Sequence, residues 1–362
     1  MMSVTLAEVR EGLDAVIDPN TGRSIGSVVK DSQIQLVGEY VSVQVVLGYP
    51  AASQLNDLRA QIYAALKARG VSSPDVQLSV KVVAHAVQPG VTRVAGVRNI
   101  IAVASGKGGV GKSTTAVNLA LALQSEGARV GLLDADIYGP SVPLLLGVSV
   151  KPASIDGKKM IPILGHGLQA NSIGFLMNDD TPAIWRGPMV VQALEQLLRQ
   201  TAWDDLDYLI VDMPPGTGDI ALTLAQSVPV VGAVIVTTPQ DLALLDARKG
   251  LKMFEQVNVP ILGIVENMAL HICSQCGHAE PIFGQGGAKR MATDYNAPWL
   301  GSLPLALAIR EQADAGQPIV VSHPQSEAAG LYREIALRLA ARVANLPKDL
   351  SEKFGAISIK RV

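Results

Sequence analysis

Nine consecutive residues, Gly106-Lys107-Gly108-Gly109-Val110-Gly111-Lys112-Ser113-Thr114, have the types and spacing of a loop that cradles phosphate. Gly106, Gly111, Lys112 and Ser113 hold the fixed places of G-x-x-x-x-G-K-[ST]. Glycines let successive backbone N–H groups turn into one concavity, and the positive end of a following helix adds to their pull on an anion. Lys112 would then reach the β- and γ-phosphates of a nucleoside triphosphate, and the Ser113 hydroxyl would sit on Mg²⁺. The flanks fit this reading, with Ile100–Ala104 as a buried strand and Thr115–Leu123 as a helix. Lys107, directly after the first glycine, is a second cation in the loop. From that position its side chain cannot easily curl back to the γ-phosphate of its own chain, but it can reach across a two-fold axis to a partner's. The expectation is a nucleotide-sandwich homodimer in which a cation acts in trans, as an arginine finger would.

The two-lysine loop resembles the deviant Walker A loop of the MinD/ParA/nitrogenase-iron-protein class, and that resemblance implies the trans role for Lys107. Strand Tyr208–Val211 runs into Asp212-Met213-Pro214-Pro215-Gly216-Thr217-Gly218-Asp219. An acid at the carboxyl end of a buried strand near the phosphate loop is placed to hold Mg²⁺ through its waters, which makes Asp212 the metal acid. The glycines after it would let that loop respond to a γ-phosphate. A second acid-bearing strand end, Leu132–Ser141, contains Asp134 and Asp136, which spacing alone does not tell apart. The stretch is similar to the first switch, D-x-D, of the class. The similarity implies that Asp136 orients the attacking water or a metal-bound water and that Asp134 is more structural. Asn267 follows a further strand, where a bare asparagine would cap a turn. In the class an asparagine there hydrogen-bonds the adenine edge, which implies ATP; no N-K-x-D motif of the GTP type is evident.

Cys273-Ser274-Gln275-Cys276-Gly277 is a C-x-x-C knuckle whose turn can aim both sulfurs at one metal or one cluster edge. Zinc sites and 4Fe–4S clusters usually take four ligands, and one chain supplies two thiolates. Either two chains each give a pair, building a four-thiolate site on the dimer axis, or His271 and His278 complete a zinc site within one chain; a redox dithiol is a third reading. The knuckle lies just beyond the strand bearing Asn267, in a protein already expected to dimerise, which favours the shared site.

The phosphate loop, Asp134–Ser141, Trp185-Arg186-Gly187-Pro188-Met189, Asp212–Asp219 and the knuckle occur in one order. Together they resemble the Mrp/ApbC family of iron–sulfur cluster carrier ATPases over about residues 99 to 345. Residues Gly301–Pro304 through Asp314–Pro318 match another stretch of the class near the base pocket. The resemblance implies a homodimer that binds a 4Fe–4S cluster through paired knuckles, takes part with cluster-assembly scaffold proteins, and delivers the cluster to apo-proteins with ATP binding and hydrolysis. No strong general base is visible, so hydrolysis is expected to be slow. Trp185 and Arg186 read as burial or dimer packing.

These residues need elements to position them. From Asn99 onward apolar strand candidates (Val130–Asp134, Tyr208–Asp212, Val230–Val236, Ile261–Val265) alternate with helical stretches, which predicts an α/β, doubly wound, mostly parallel sheet over residues 99–362. Residues 1–83 read as a small α+β unit. It has a helix on Leu6, Val9, Leu13 and Val16, strands near Ser27–Lys30, Gln33–Val37 and Val41–Leu47, a second helix capped by Ser53 and stopped at Gly70, and a last strand on Val76, Leu78, Val80 and Val82. This arrangement resembles the small iron–sulfur-assembly domain fused ahead of carrier ATPases. It holds no cysteine, which excludes cysteine chemistry there and leaves protein docking as its reading. Residues 84–98, with Pro89-Gly90, read as a linker.

Composition bounds the rest. A chain of 362 residues with 48% apolar and 17% charged residues suits strands buried on both faces. The net charge of −2 and the lack of a basic tract argue against nucleic acid as a partner. No apolar run approaches a membrane span, and the start lacks the pattern of a secretory signal. Two closely spaced cysteines do not make a secreted disulfide framework, so the expectation is a cytoplasmic protein. The competing function is a MinD/ParA-like ATP-switched regulatory dimer with a structural zinc knuckle. Its membrane form wants an amphipathic C-terminal helix. The tail Phe354–Val362 contains glycine and alternates with period two, which makes a poor one.

Overall fold

The computed structural model describes residues 4–37, 40–176, 187–273 and 275–349. Trp185, Arg186, Ser274 and the tail Phe354–Val362 lie outside the described residues. The chain divides into two compact units. One is built on the residues up to Val83 together with Ala340–Asn345; the other is built on Ala84–Leu339 and the chain from Leu346 onward.

In the first unit, helix α1 (Leu6–Asp14) opens with a reciprocal cap: the Glu8 N–H donates to the Thr5 hydroxyl oxygen, and the Thr5 N–H donates to the Glu8 carboxylate. Strands β1 (Ile34–Val37), β2 (Tyr40–Leu47) and β3 (Ser73–Val80) form one sheet in that order, with β1–β2 antiparallel and β2–β3 parallel. Helix α2 (Leu55–Ala68) is the crossover between the parallel pair. Val41, Val43, Val45 and Leu47 alternate into its core, as period-two spacing requires. The strand expected near Ser27–Lys30 is instead a 3₁₀ turn at Ile25–Ser27. The Ser27 N–H donates to the Ser24 hydroxyl, and the Ser27 hydroxyl donates to the Ser24 carbonyl, so local serine bonds override the β-branched Val28-Val29 pair. The second helix begins at Leu55 with Gln54 in the cap position, and Ser53, the expected cap, lies inside a turn at Ala52–Gln54.

The second unit holds an eight-stranded sheet. Its strands are β4 (Val97–Ala104), β5 (Val130–Asp134), β6 (Ile163–Gly165), β7 (Leu168–Ser172), β8 (Leu206–Asp212), β9 (Val230–Thr237), β10 (Ile261–Glu266) and β13 (Trp299–Ser302). Across the sheet they run β13-β10-β9-β4-β8-β5-β7-β6. Every neighbouring pair is parallel except β6 with β7. A two-residue hairpin of β11 (His271–Ile272) and β12 (Ala279–Glu280) stands apart from it. The helices of this part of the chain are α3 (Lys112–Ser125), α4 (Val142–Leu146), α5 (Gly187–Gln200), α6 (Asp219–Ser227), α7 (Asp241–Gln256), α8 (Gly287–Asp294), α9 (Leu307–Asp314), α10 (Ile319–Ser322) and α11 (Glu327–Ala344).

All of β9 and the last six residues of β4 are buried, which is why these strands read as unbroken apolar runs rather than as alternation. This is the doubly wound, mostly parallel α/β architecture expected from the strand–helix alternation. Residues 84–98, read as a linker, are bedded on this unit. The His85 N–H donates to the Asn99 side-chain oxygen, the Gln88 amide donates to the Ala225 carbonyl, and Val94 lies in the apolar core. Strands β6, β7 and β13 were not foreseen; Leu168-Gln169-Ala170-Asn171-Ser172 and Trp299-Leu300-Gly301-Ser302 are short and half polar. Among the described residues no helix is long and apolar enough to cross a membrane.

Candidate functional site

The site is built where β4, β5, β8 and β10 end, the crevice at which open α/β sheets take ligands. Beyond Ala104 the Ser105 hydroxyl donates to the Lys107 carbonyl at 2.9 Å, which ties down the start of the phosphate loop. Gly109 and Gly111 have φ of +82° and +80°, in the left-handed region that side-chain-bearing residues resist, and Gly111 is the residue from which α3 starts. Gly106 is required for another reason. A Cβ there would lie 2.1 Å from the carbonyl carbon of Asp246 and 2.4 Å from the Ala247 nitrogen, both backbone atoms of α7. Backbone cannot step aside as a side-chain tip can. Gly106→Ala is therefore expected to lower stability by about 1–3 kcal/mol, the usual range for overpacking. Urea unfolding checks this, and an unchanged midpoint would contradict the contact.

The acids are set by strand register. In the parallel pairing of β5 with β8, Asp134 lies directly opposite Asp212. Both are fully buried. The Lys112 ammonium donates to Asp212 Oδ1 at 2.6 Å, stands 3.7 Å from Asp136 Oδ2, and lies 3.2 Å from the Ser113 hydroxyl. One buried lysine thus faces more than one carboxylate. Burial pushes the Asp212 carboxyl up from its ordinary value, with Lys112 and Ser113 opposing. Burial, with Asp212 alongside, pushes Asp134 up to about 7. Asp136 is raised as well, by burial first, with Lys112 pulling it back.

Asp134 and Asp136, which sequence spacing did not separate, differ in surroundings. Asp134 accepts from the Val142 N–H, the Ser172 hydroxyl and the Asp136 N–H, so both of its oxygens serve the fold. Asp136 keeps some exposure, 13% of its side chain, and turns an oxygen to Lys112. Asp212 Oδ2 is buried and has no hydrogen-bond partner among the described residues. Lys107 is half-buried, and among the described residues no ion pair holds it. The loop after Asp212 is stitched to the phosphate strand: the Met213 N–H donates to the Val103 carbonyl and the Gly216 N–H to the Ser105 carbonyl.

Asn267 is also brought here. Its side-chain nitrogen donates to the Val110 carbonyl at 2.9 Å, so in this structure the amide faces the phosphate loop itself. Six residues further on the knuckle begins, at the tip of the β11–β12 hairpin. The Cys273 N–H donates to the His278 carbonyl and the Gly277 N–H to the Cys273 carbonyl, both at 2.9 Å. Cys276 is exposed, Cys273 half-buried, and both are free thiols. Backbone N–H groups of Cys276 and Gln275 aimed at Cys273 hold its thiol below the usual cysteine value. The zinc reading with His271 and His278 is not assembled in one chain: among the described residues no three His, Cys, Asp or Glu side chains gather as a metal site. The His271 Nδ1 lies instead 3.3 Å from the Leu305 carbonyl.

Three participants went unseen in the sequence: Ser172 behind Asp134, the α7 backbone behind Gly106, and the Val110 carbonyl under Asn267. Each is a contact between distant segments, with no local pattern to announce it.

Comparison with known proteins agrees with the motif resemblance. The family model of the NUBPL iron-transfer P-loop NTPase matches residues 96–340, and that of the iron-sulfur cluster assembly protein matches residues 6–77. An iron-sulfur cluster carrier protein of Salmonella typhimurium is 63% identical over 257 residues, 71% of this chain and 69% of the relative. One from Escherichia coli K12 is 56% identical over 308 residues, 83% of this chain and 82% of the relative. The iron-sulfur cluster transfer protein NUBPL of Mus musculus is 51% identical over 255 residues, 70% of this chain and 80% of the relative. A solved nucleotide-binding protein of Archaeoglobus fulgidus, in complex with ADP, superposes with a TM-score of 0.57 at 37% identity, covering 66% of this chain and 93% of that one.

Proposed function

This chain belongs to the NUBPL iron-transfer P-loop NTPase family, and on that footing we propose that it is an ATP-dependent iron–sulfur cluster carrier. It works as a homodimer that holds a 4Fe–4S cluster on four thiolates, Cys273 and Cys276 from each copy. The cluster is received from assembly scaffolds and handed to apo-proteins, with slow ATP hydrolysis. The unit up to Val83 serves docking, in keeping with its match to iron-sulfur cluster assembly protein. The observation that carries the reading is the half-built knuckle. Two free thiols, one of them acidified, stand at an accessible hairpin tip with no third ligand gathered beside them among the described residues, together with a complete phosphate loop.

The residues divide the work as follows. Amides of Gly106–Thr114 and the start of α3 bind the phosphates of ATP. Lys112 leaves Asp212 for the β- and γ-phosphates. Asp212 and Ser113 are then free to hold Mg²⁺, and the unpartnered, buried Asp212 Oδ2 fits that role. Bound there, Mg²⁺ supplies positive charge to the phosphates. Asp136 orients the water that attacks the γ-phosphorus in line, and the bond from that phosphorus to the ADP oxygen breaks. Lys107 of the partner copy faces the charge that develops on the transferred group. Asn267, which bonds the Val110 carbonyl of the loop, is assigned the adenine edge on the strength of the class resemblance. Loss of the γ-phosphate relaxes the loops at Asp136 and Asp212, an ordered-to-relaxed switch.

Anaerobic reconstitution with iron and sulfide tests the reading. It should give about two iron and two sulfide per chain, as one 4Fe–4S cluster per pair requires, and the mass of a dimer with ATP bound. Protein that stays monomeric with ATP and takes up no iron would refute it.

A further inference from the structure

The phosphate loop and the knuckle are separated by little more than one bent arm. At the end of β10 the Asn267 amide nitrogen bonds the Val110 carbonyl at 2.9 Å, across a sequence separation of 157. The fit is tight: a Cβ on Gly111 would lie 2.2 Å from that nitrogen and 3.8 Å from the terminal methyl of Met268. Asn267 is itself held, its N–H donating to the Thr237 carbonyl at 2.7 Å. Met268 then takes φ of +57°, a left-handed conformation that costs a residue with a Cβ about 1–2 kcal/mol.

Past this kink the arm is stiffened on one side. The Ala269 N–H donates to the Leu303 carbonyl at 3.0 Å and the Leu305 N–H to the Leu270 carbonyl at 2.7 Å, and His271 pairs with Leu305. The arm ends in β11, and β11 ends at Ile272, directly before Cys273. A stiff lever hinged at one strained residue, with its short end on the phosphate loop, moves its far end when the loop moves.

We infer that Asn267 and Met268 are positioning residues that pass the state of the phosphate loop to Cys273 within a single chain. The inference rests on the reading above that the knuckle holds the cargo. When phosphate fills the loop, the amides around Val110-Gly111 turn toward it, and the Val110 carbonyl on the other side of the same peptide plane turns with them. Asn267 follows its acceptor, Met268 absorbs the bend, and the thiols change their aim. The cluster's grip is thereby tied to nucleotide in each copy, independently of how the two copies close on one another.

The test uses the cluster-free, fully reduced full-length chain, so that it stands apart from cluster uptake. The rate of maleimide alkylation of Cys273 and Cys276 is measured without nucleotide, with saturating Mg²⁺ and ADP, and with saturating Mg²⁺ and adenylyl imidodiphosphate. In the wild type, nucleotide should change that rate about fivefold or more, within the usual span of coupling between sites. Met268→Gly should fold at least as well, since glycine suits φ of +57°. It should bind nucleotide within about threefold of wild type and lose the response. Asn267→Ala, read at saturating nucleotide, should lose it too, while Lys107→Ala should keep it because the route does not cross to the partner.

A wild type with no response overturns the inference, as do Met268→Gly and Asn267→Ala chains that respond normally, or loss of the response in Lys107→Ala. A wild type that responds but never takes up iron leaves the lever in place and removes the carrier reading alone.

Discussion

Lys112→Ala is expected to abolish hydrolysis and weaken nucleotide binding together, whereas Lys107→Ala should bind ADP as the wild type does and still fail to turn over ATP. The two lysines sit one turn of loop apart but in different circumstances. Lys112 is almost wholly buried and bonded to Asp212 at 2.6 Å. On the proposed reading its ammonium meets the phosphates in the ground state as well as in the transition state, so its loss affects affinity and rate alike. Lys107 is half-buried and, among the described residues, outside any ion pair, so its charge is available to a second molecule.

A cation that meets only the transferring group in the closed pair acts on the rate, by about 10³-fold or more if it works as arginine fingers do. Single-turnover hydrolysis and ADP titration on both variants separate the cases. Wild-type rates in both would remove the site. Equal loss of ADP affinity in both would leave Lys107 as an ordinary loop cation of its own chain. Mixing Lys107→Ala with a Lys112→Ala chain sharpens the point. If the lysine acts in trans, the mixed pair has one composite site with neither lysine and one with both, and activity returns; if it acts in cis, no site has both.

How far the sequence showed this site depends on how local each feature is. The phosphate loop, the strand before it and the helix after it were legible because a contiguous pattern specifies them, and all three appear at their expected places. Asp212 was legible for a related reason: a buried strand ending in an acid is a one-segment signal. The division between Asp134 and Asp136 was not. It depends on Ser172, on a strand too short and polar to be recognised, and on the Val142 N–H at the start of α4.

Gly106 fits the motif, but the motif does not say that the α7 backbone leaves no room for a Cβ there. In the smaller unit, the Val28-Val29 pair suggested a strand that two serine hydrogen bonds turn into a 3₁₀ turn. For the knuckle, spacing left zinc in one chain and a shared cluster both open. In three dimensions His271 lies against the Leu305 carbonyl, and among the described residues no third ligand joins the two sulfurs, which supports the shared site.

The second large effect concerns those sulfurs. Cys273→Ser with Cys276→Ser should reduce iron after anaerobic reconstitution to background, because serine oxygens are poor ligands for an iron–sulfur cluster and among the described residues no other group of ligands gathers there. Of the single variants, Cys273→Ser should be the more damaging. Backbone N–H groups aimed at Cys273 lower its thiol from the usual cysteine value and so favour the thiolate that binds iron, whereas Cys276 is simply exposed.

A mixing experiment then decides between a shared and a private site. If the wild type and the double variant are unfolded, combined in equal amounts and refolded, about one quarter of random pairs carry four thiolates, about half carry two, and the rest carry none. A cluster that needs all four thiolates leaves about one quarter of the wild-type iron. A cluster held by each chain alone leaves about half, since every wild-type chain keeps its own. The quadratic outcome is the one expected here, because a pair of thiolates on an open hairpin tip satisfies only half of a cluster's usual ligand set. The linear outcome would mean that something outside the protein completes the site in each copy, and the two-fold axis would lose its role in holding the cargo.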